Sequence, residues 1–316
     1  MARGSGKLRL VRNVLLGLAG LLVLALAGII VAVHIGFNTK GDVMGAVQKT
    51  AISRDGTVIA YEQSGSGPVV ILVSAALADR TGNRRLARYL SDRFTVINYD
   101  RRGRGASGNT SPYTIEKEAE DVEALVNASG GSAFLFGSSS GSVLALDAAA
   151  HLGTKVKKLY MFEPPFIVDS SRPPMDQTLS GAIERQVAIG NRSEAVRLFF
   201  TKGMGIPPFG VTMMRFLMPG WSKMSAMAQT IPYDLSILDG TQAGQRLPVE
   251  RWRSASLPAR VTVGGRSEPF FHSGAKDLVQ ILPSAQYQSL TGLNHGALLL
   301  APTALGKDIQ DFLQQP

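Results

Sequence analysis

A chain of 316 residues with 45% hydrophobic side chains can bury one large core, and its composition lies far from the disordered regime. It has no cysteine, which excludes disulfides, thiol catalysis and thiolate metal sites. The formal charge of +9 is not gathered into one Lys/Arg run interleaved with aromatics, so nucleic acid is not the expected partner; a basic surface facing anionic headgroups fits better.

The first element is apolar. Val14 to Val33 runs for twenty residues without a charge, preceded by Arg3, Lys7, Arg9 and Arg12. At 1.5 Å rise per residue, a helix of this length spans a bilayer's hydrocarbon. The run is too long for a cleaved signal peptide and no clear Ala-x-Ala follows it, although secretion after cleavage stays open as the alternative. The expected order is a basic flank at 1–13, a transmembrane signal-anchor at 14–35 and a tether at 36–46. The positive-inside rule then leaves the N-terminus in the cytoplasm and residues 47–316 outside.

After the tether, Val47–Ser53 and Thr57–Gln63 are expected as two strands joined by an Arg54-Asp55-Gly56 turn. Val69–Val73 is continuously apolar, the pattern of a strand buried on both faces. A helix over Thr81–Leu90, a strand over Phe94–Tyr99 and a helix over Glu116–Ala128 follow, the last with Ala119, Val122, Leu125 and Val126 on one face. Ala133–Phe136 is a strand, Val143–Ala150 a helix, and Val156–Phe162 a further strand. From about 166 to 256 the alternation stops. That stretch is helical in pieces, Ile183–Phe200 among them, and is broken by prolines; six of the ten methionines fall between 204 and 227. A strand at Arg260–Gly264, a helix at Ser273–Leu282, a strand at Gln286–Leu290 and a closing helix within Leu298–Leu313 complete the chain. Alternating strands and helices, interrupted once, predict a mostly parallel sheet with helices on both faces and an inserted lid. Ligands bind such sheets beyond the carboxyl ends of the strands.

The chemistry-bearing motif is Gly137-Ser138-Ser139-Ser140-Gly141, between a strand and a helix. In that setting a sharp turn exposes the middle serine, here Ser139, as a nucleophile. A neutral hydroxyl needs a base. Of the four histidines, His34 borders the apolar run, His151 ends the helix after the elbow and His272 has the character of a surface residue. His295, in Asn294-His295-Gly296, lies between the last strand and the last helix.

These segments, with Asp100-x-x-Gly-x-Gly-x-Ser107 and the loop at 74–80, resemble the α/β-hydrolase superfamily from about residue 47 to the C-terminus. The resemblance implies an eight-stranded sheet with a helical lid, His295 as base, and a structural role for Asp100, bonded to backbone beside the site. It also implies an acid after strand 7, but Ser267 stands there and Glu268 follows one residue later. Some relatives place the acid after strand 6, where this chain has Glu163. Glu163 is favoured, because it leaves a buried strand at the rim and needs a partner such as His295; Glu268 is the alternative. Backbone N–H groups of Ser140 and Ala76 are the implied oxyanion hole.

The expected activity is cofactor-free cleavage of an ester-type bond (carboxylic ester, thioester or lactone) of a small hydrophobic acyl substrate, through an acyl-enzyme. The relatives that use an aspartate nucleophile are disfavoured by Ser139. No His-Glu-x-x-His metal motif is present, and Gly103-Arg104-Gly105 opens no helix that would make it a dinucleotide site. Two alternatives remain: a slow-turnover or non-catalytic ligand-binding protein, and a cofactor-free haloperoxidase-like activity. Oligomeric state is not legible.

Overall fold

A computed structural model describes residues 45–218 and 220–315. The expected signal-anchor lies outside them; among the described residues no helix is long and apolar enough to cross a membrane.

Eight strands form one sheet: β1 (Val47–Ile52), β2 (Val58–Ser64), β3 (Val69–Val73), β4 (Thr95–Tyr99), β5 (Ala133–Ser138), β6 (Val156–Phe162), β7 (Ala259–Gly264) and β8 (Ala285–Leu290). Their spatial order is β1-β2-β4-β3-β5-β6-β7-β8. β2 runs antiparallel to both its neighbours, and every pairing from β4 to β8 is parallel. The helices before the lid are α1 (Arg84–Leu90), α2 (Ile115–Ala128) and α3 (Ser140–Leu152).

The two-residue period of a strand divides β3 between two cores. Ile71 and Val73 face the layer built by α2 and α3, while Val70 and Leu72 face the layer that holds Leu86 and Leu90 of α1. α2 starts where Thr114 Oγ accepts the N–H of Lys117, with Glu116 and Glu118 favourably placed in the first turn. It buries the expected apolar face, and Glu118 and Asp121 with it.

Between β6 and β7 the lid holds α4 (Leu179–Ala188), α5 (Arg192–Leu198), a π-helical turn at Phe199–Gly203, α6 (Pro208–Leu217), α7 (Trp221–Ala226) and α8 (Ile231–Ile237). The single helix expected across 183–200 is two. Gly190, at φ +77°, and Asn191 break it, because the left-handed backbone cannot continue a right-handed helix. The lid has its own core, in which Ile183, Val196, Phe200, Trp221, Met224 and Ile231 meet.

After the lid come α9 (Pro269–Ile281), α10 (Ala297–Leu300) and α11 (Pro302–Leu313). α9 begins earlier than periodicity indicated, because Pro269 suits a first helical turn and the apolar Phe270 and Phe271 belong to the buried face. The loops after β3, β5, β6, β7 and β8 all open at one edge of the sheet, beneath the lid.

Candidate active site

β5 delivers Ser139. Its backbone sits at φ 52°, ψ −131°, a region an L-residue enters at a cost of about 1–3 kcal/mol. The turn closes only around small neighbours. A Cβ on Gly137 would lie 2.4 Å from the carbonyl oxygen of Gly141, and a Cβ on Gly141 would lie 2.4 Å from that of Ser74. Among the described residues, the other non-glycine positive-φ positions are Leu77 and Glu163. All three follow strand ends at the same rim, where strain is a marker of a working site.

Glu163 follows β6. It is fully buried and its N–H is fixed on Thr262 O at 2.9 Å. One carboxylate oxygen lies 2.6 Å from His295 Nδ1. The other accepts the N–H of Gly264 at 2.7 Å and the hydroxyl of Ser267. Ser267, which stands after β7 where an acid was expected, therefore solvates the Glu163 carboxylate instead. His295 stacks on Phe271 with ring centroids 4.9 Å apart and 21° between planes, which fixes the imidazole from its face.

Glu268 is not brought to His295. It ends the loop as the residue before α9, its side chain is 65% exposed, and it pairs loosely with Arg172 at 3.5 Å. It lines the same cavity as Ser139 and His295 yet makes no bond to the imidazole, because Ser267, one residue earlier, takes the place beside Glu163 and its own neighbour starts the helix. His272 bonds to Tyr287 and His151 is exposed, so neither joins the site.

Ser139, His295, Ala76 and Ser140 line one cavity of about 370 Å³. Phe199, Met204, Ile206, Leu235, Leu238 and Phe270 make its walls apolar. Of the six lid methionines between 204 and 227, only Met204 reaches this cavity; Met224 and Met227 pack in the lid core and line a neighbouring cavity of about 230 Å³ that also touches Ala76 and His295. Ala76 N–H, expected in the oxyanion hole, lies 3.1 Å from Ser140 Oγ and donates to it.

Residues 53–306 match the Alpha/beta hydrolase family. The chain belongs to this family. A solved α/β hydrolase from Sphaerobacter thermophilus DSM 20745 is 43% identical, with a TM-score of 0.78, covering 84% of this chain and all of that one. A non-heme chloroperoxidase of Streptomyces lividans is 26% identical over 84% of this chain and 99% of its own length. The uncharacterized hydrolase YraK of Bacillus subtilis (strain 168) is 33% identical over a shorter match, 34% of this chain and 42% of that relative.

The hydrolase holds a buried charge cluster that sequence reasoning missed. Asp100 does bond backbone, accepting the N–H groups of Arg80 and Ala106 at 2.8 Å each. The arginines after it do more. Arg101 is clamped by Glu118 at 2.8 and 2.6 Å and by Asp234 at 2.7 Å, and Arg104 reaches the second oxygen of Asp234 at 2.6 Å. Asp234, on lid helix α8, also accepts the hydroxyl of Ser140 at 2.7 Å. Burial acts to raise its carboxyl, but Arg104 and Arg101 outweigh burial and hold it below the usual carboxylate range. The available signal was three arginines beside the buried β4, which require acidic partners. Glu118 and Asp121, on the apolar face of α2, were two of them.

Proposed function

We propose that this hydrolase cleaves carboxylic ester-type bonds, thioesters and lactones included, through an acyl-enzyme on Ser139. The observation that carries it is the 2.6 Å bond between Glu163 and His295 Nδ1, in the cavity that Ser139 lines. With Nδ1–H on the carboxylate, Nε2 is the basic nitrogen available to take the Ser139 proton and later return it to the leaving group. Glu163 holds that tautomer and stabilises the imidazolium. Backbone N–H groups of Ser140 and Ala76 receive the developing oxyanion, each donor being worth about 3 kcal/mol in the transition state. Water then releases the acid. No step calls on a cofactor.

The apolar cavity fits a small hydrophobic acyl group, and its volume lies in the range of small-molecule sites, about 300–1,000 Å³. Turnover of p-nitrophenyl esters from acetate to decanoate tests this. A maximum of kcat/KM at medium chain length is expected; better turnover of short polar esters would overturn the substrate class. The likeness to a chloroperoxidase over most of both chains favours one second reading, in which peroxide replaces water at the acyl-enzyme. Halogenation and ester hydrolysis measured on the same sample separate the two. Anchoring at a membrane, with the catalytic domain extracytoplasmic, is part of the proposal and rests on the apolar run Val14–Val33 and its basic flank.

A further inference from the structure

The peptide joining Ala75 to Ala76 is held at both ends. Its N–H donates to Ser140 Oγ at 3.1 Å, and its carbonyl accepts Arg104 Nη1 at 2.7 Å. Both partners are bound to one residue, Asp234: Ser140 Oγ to Oδ1 at 2.7 Å, and Arg104 Nη2 to Oδ2 at 2.6 Å. Arg101, on Oδ1 at 2.7 Å, also binds Ser74 O at 3.2 Å. An ionised carboxylate only accepts, so Asp234 takes the single proton of the Ser140 hydroxyl and turns its lone pairs to Ala76 N–H.

We propose that Asp234 of the lid is the positioning residue of the oxyanion hole, fixing the Ala75–Ala76 peptide through Ser140 at one end and Arg104 at the other. This rests on the ester-hydrolase reading above. In the ground state Ala76 N–H sits on a neutral hydroxyl. When the substrate carbonyl becomes an oxyanion, the N–H is shared between that hydroxyl, which keeps it aimed, and the stronger charged acceptor. The carbonyl end of the peptide stays clamped, so the donor is already oriented when charge develops. The contribution is made only in the transition state and belongs in kcat rather than KM. It also makes the lid, through α8, part of the catalytic geometry.

Ser140→Ala removes the hydroxyl and keeps the backbone N–H. Loss of a whole oxyanion donor costs about 10²–10³ in kcat, so loss of alignment of one is expected to lower kcat about tenfold with KM within twofold. Affinity for a trifluoromethyl ketone transition-state analogue should fall in parallel with kcat, which a merely structural role would not produce. Asp234→Asn should lower kcat too, and its effect should be largely absent in the Ser140→Ala background. Asp234→Asn leaves two buried arginines short of charge; if it does not fold, Ser140→Ala and the analogue decide the matter. Unchanged kcat and analogue affinity in Ser140→Ala, or fully multiplicative effects of the two substitutions, overturn the proposal. An active wild type with such results overturns this inference alone, whereas a folded wild type without esterase turnover overturns the ester-hydrolase reading and this inference with it.

Discussion

Glu163→Gln tests the acid while preserving its shape. The carboxylate accepts three hydrogen bonds, from His295 Nδ1, Gly264 N–H and Ser267 Oγ. An amide has one acceptor oxygen. Gly264 and Ser267 present two donors on one side, so the oxygen is expected to stay there and the NH₂ to face His295. Nδ1 must then accept, which moves the ring proton to Nε2, the nitrogen that should receive the Ser139 proton. A wrong-tautomer substitution of this kind costs about 10⁴ in kcat, or about 5 kcal/mol of transition-state stabilisation. The assay is steady-state hydrolysis of p-nitrophenyl butyrate, beside circular dichroism to show that the variant is folded. A folded Glu163→Gln retaining activity within tenfold of wild type would refute the assignment. Glu268→Gln is the matched comparison and should lower kcat far less than Glu163→Gln, because that carboxylate lines the cavity but is 65% exposed, pairs with Arg172 and makes no bond to His295.

Three further outcomes are expected. Gly141→Ala places a methyl 2.4 Å from the backbone oxygen of Ser74, which cannot move aside as a side chain could; it should destabilise the fold by about 1–3 kcal/mol and strongly reduce turnover, measured by thermal melting and the same ester assay. Asp79 bonds Lys223 of the lid at 2.7 Å; burial acts to raise its carboxyl, but the bonds from Lys223 and Thr81 and the lysine charge hold it below the ordinary aspartate value. Because the folded-state pKa is depressed, its stabilisation is complete above the unfolded value of about 3.9 and is lost as pH falls through the folded value. Wild type should therefore melt a few degrees above Asp79→Asn at pH 7, and that gap should shrink as pH drops below about 4; a gap independent of pH contradicts the ion pair. Leu238→Trp, which fills part of the apolar cavity, should lower kcat/KM for octanoate more than for acetate in the p-nitrophenyl series, and equal losses would remove Leu238 from the acyl site.

Local pattern made the sheet and the nucleophile turn legible. The apolar run at 69–73 has the signature of a strand covered on both faces, and it occupies the parallel part of the sheet. The small residues around Ser139 announce a turn that only small residues permit. Choosing between Glu163 and Glu268 was harder, because one residue of register in a loop decides direction and loops carry no periodicity. The structure distinguishes them through His295 and Ser267, both of which bond Glu163, while Glu268 precedes α9 and bonds neither. The positive φ of Glu163 has no sequence signal at all, since a non-glycine residue held there depends on its surroundings. Asp234 was invisible for another reason. It lies 94 residues from Ser140 and 130 from Arg104, in a lid whose helices have no repeating relation to the sheet. Its partners could be anticipated only as a requirement, that buried arginines find carboxylates.

The proposed mechanism makes Ser139 a nucleophile activated by His295. Reaction with a fluorophosphonate, followed by intact mass and peptide mapping, measures it directly. One adduct per chain is predicted, on the peptide containing Ser139, absent in Ser139→Ala and greatly slowed in His295→Ala. A folded wild type that takes no adduct, or takes it at another serine, would show that Ser139 is not the nucleophile.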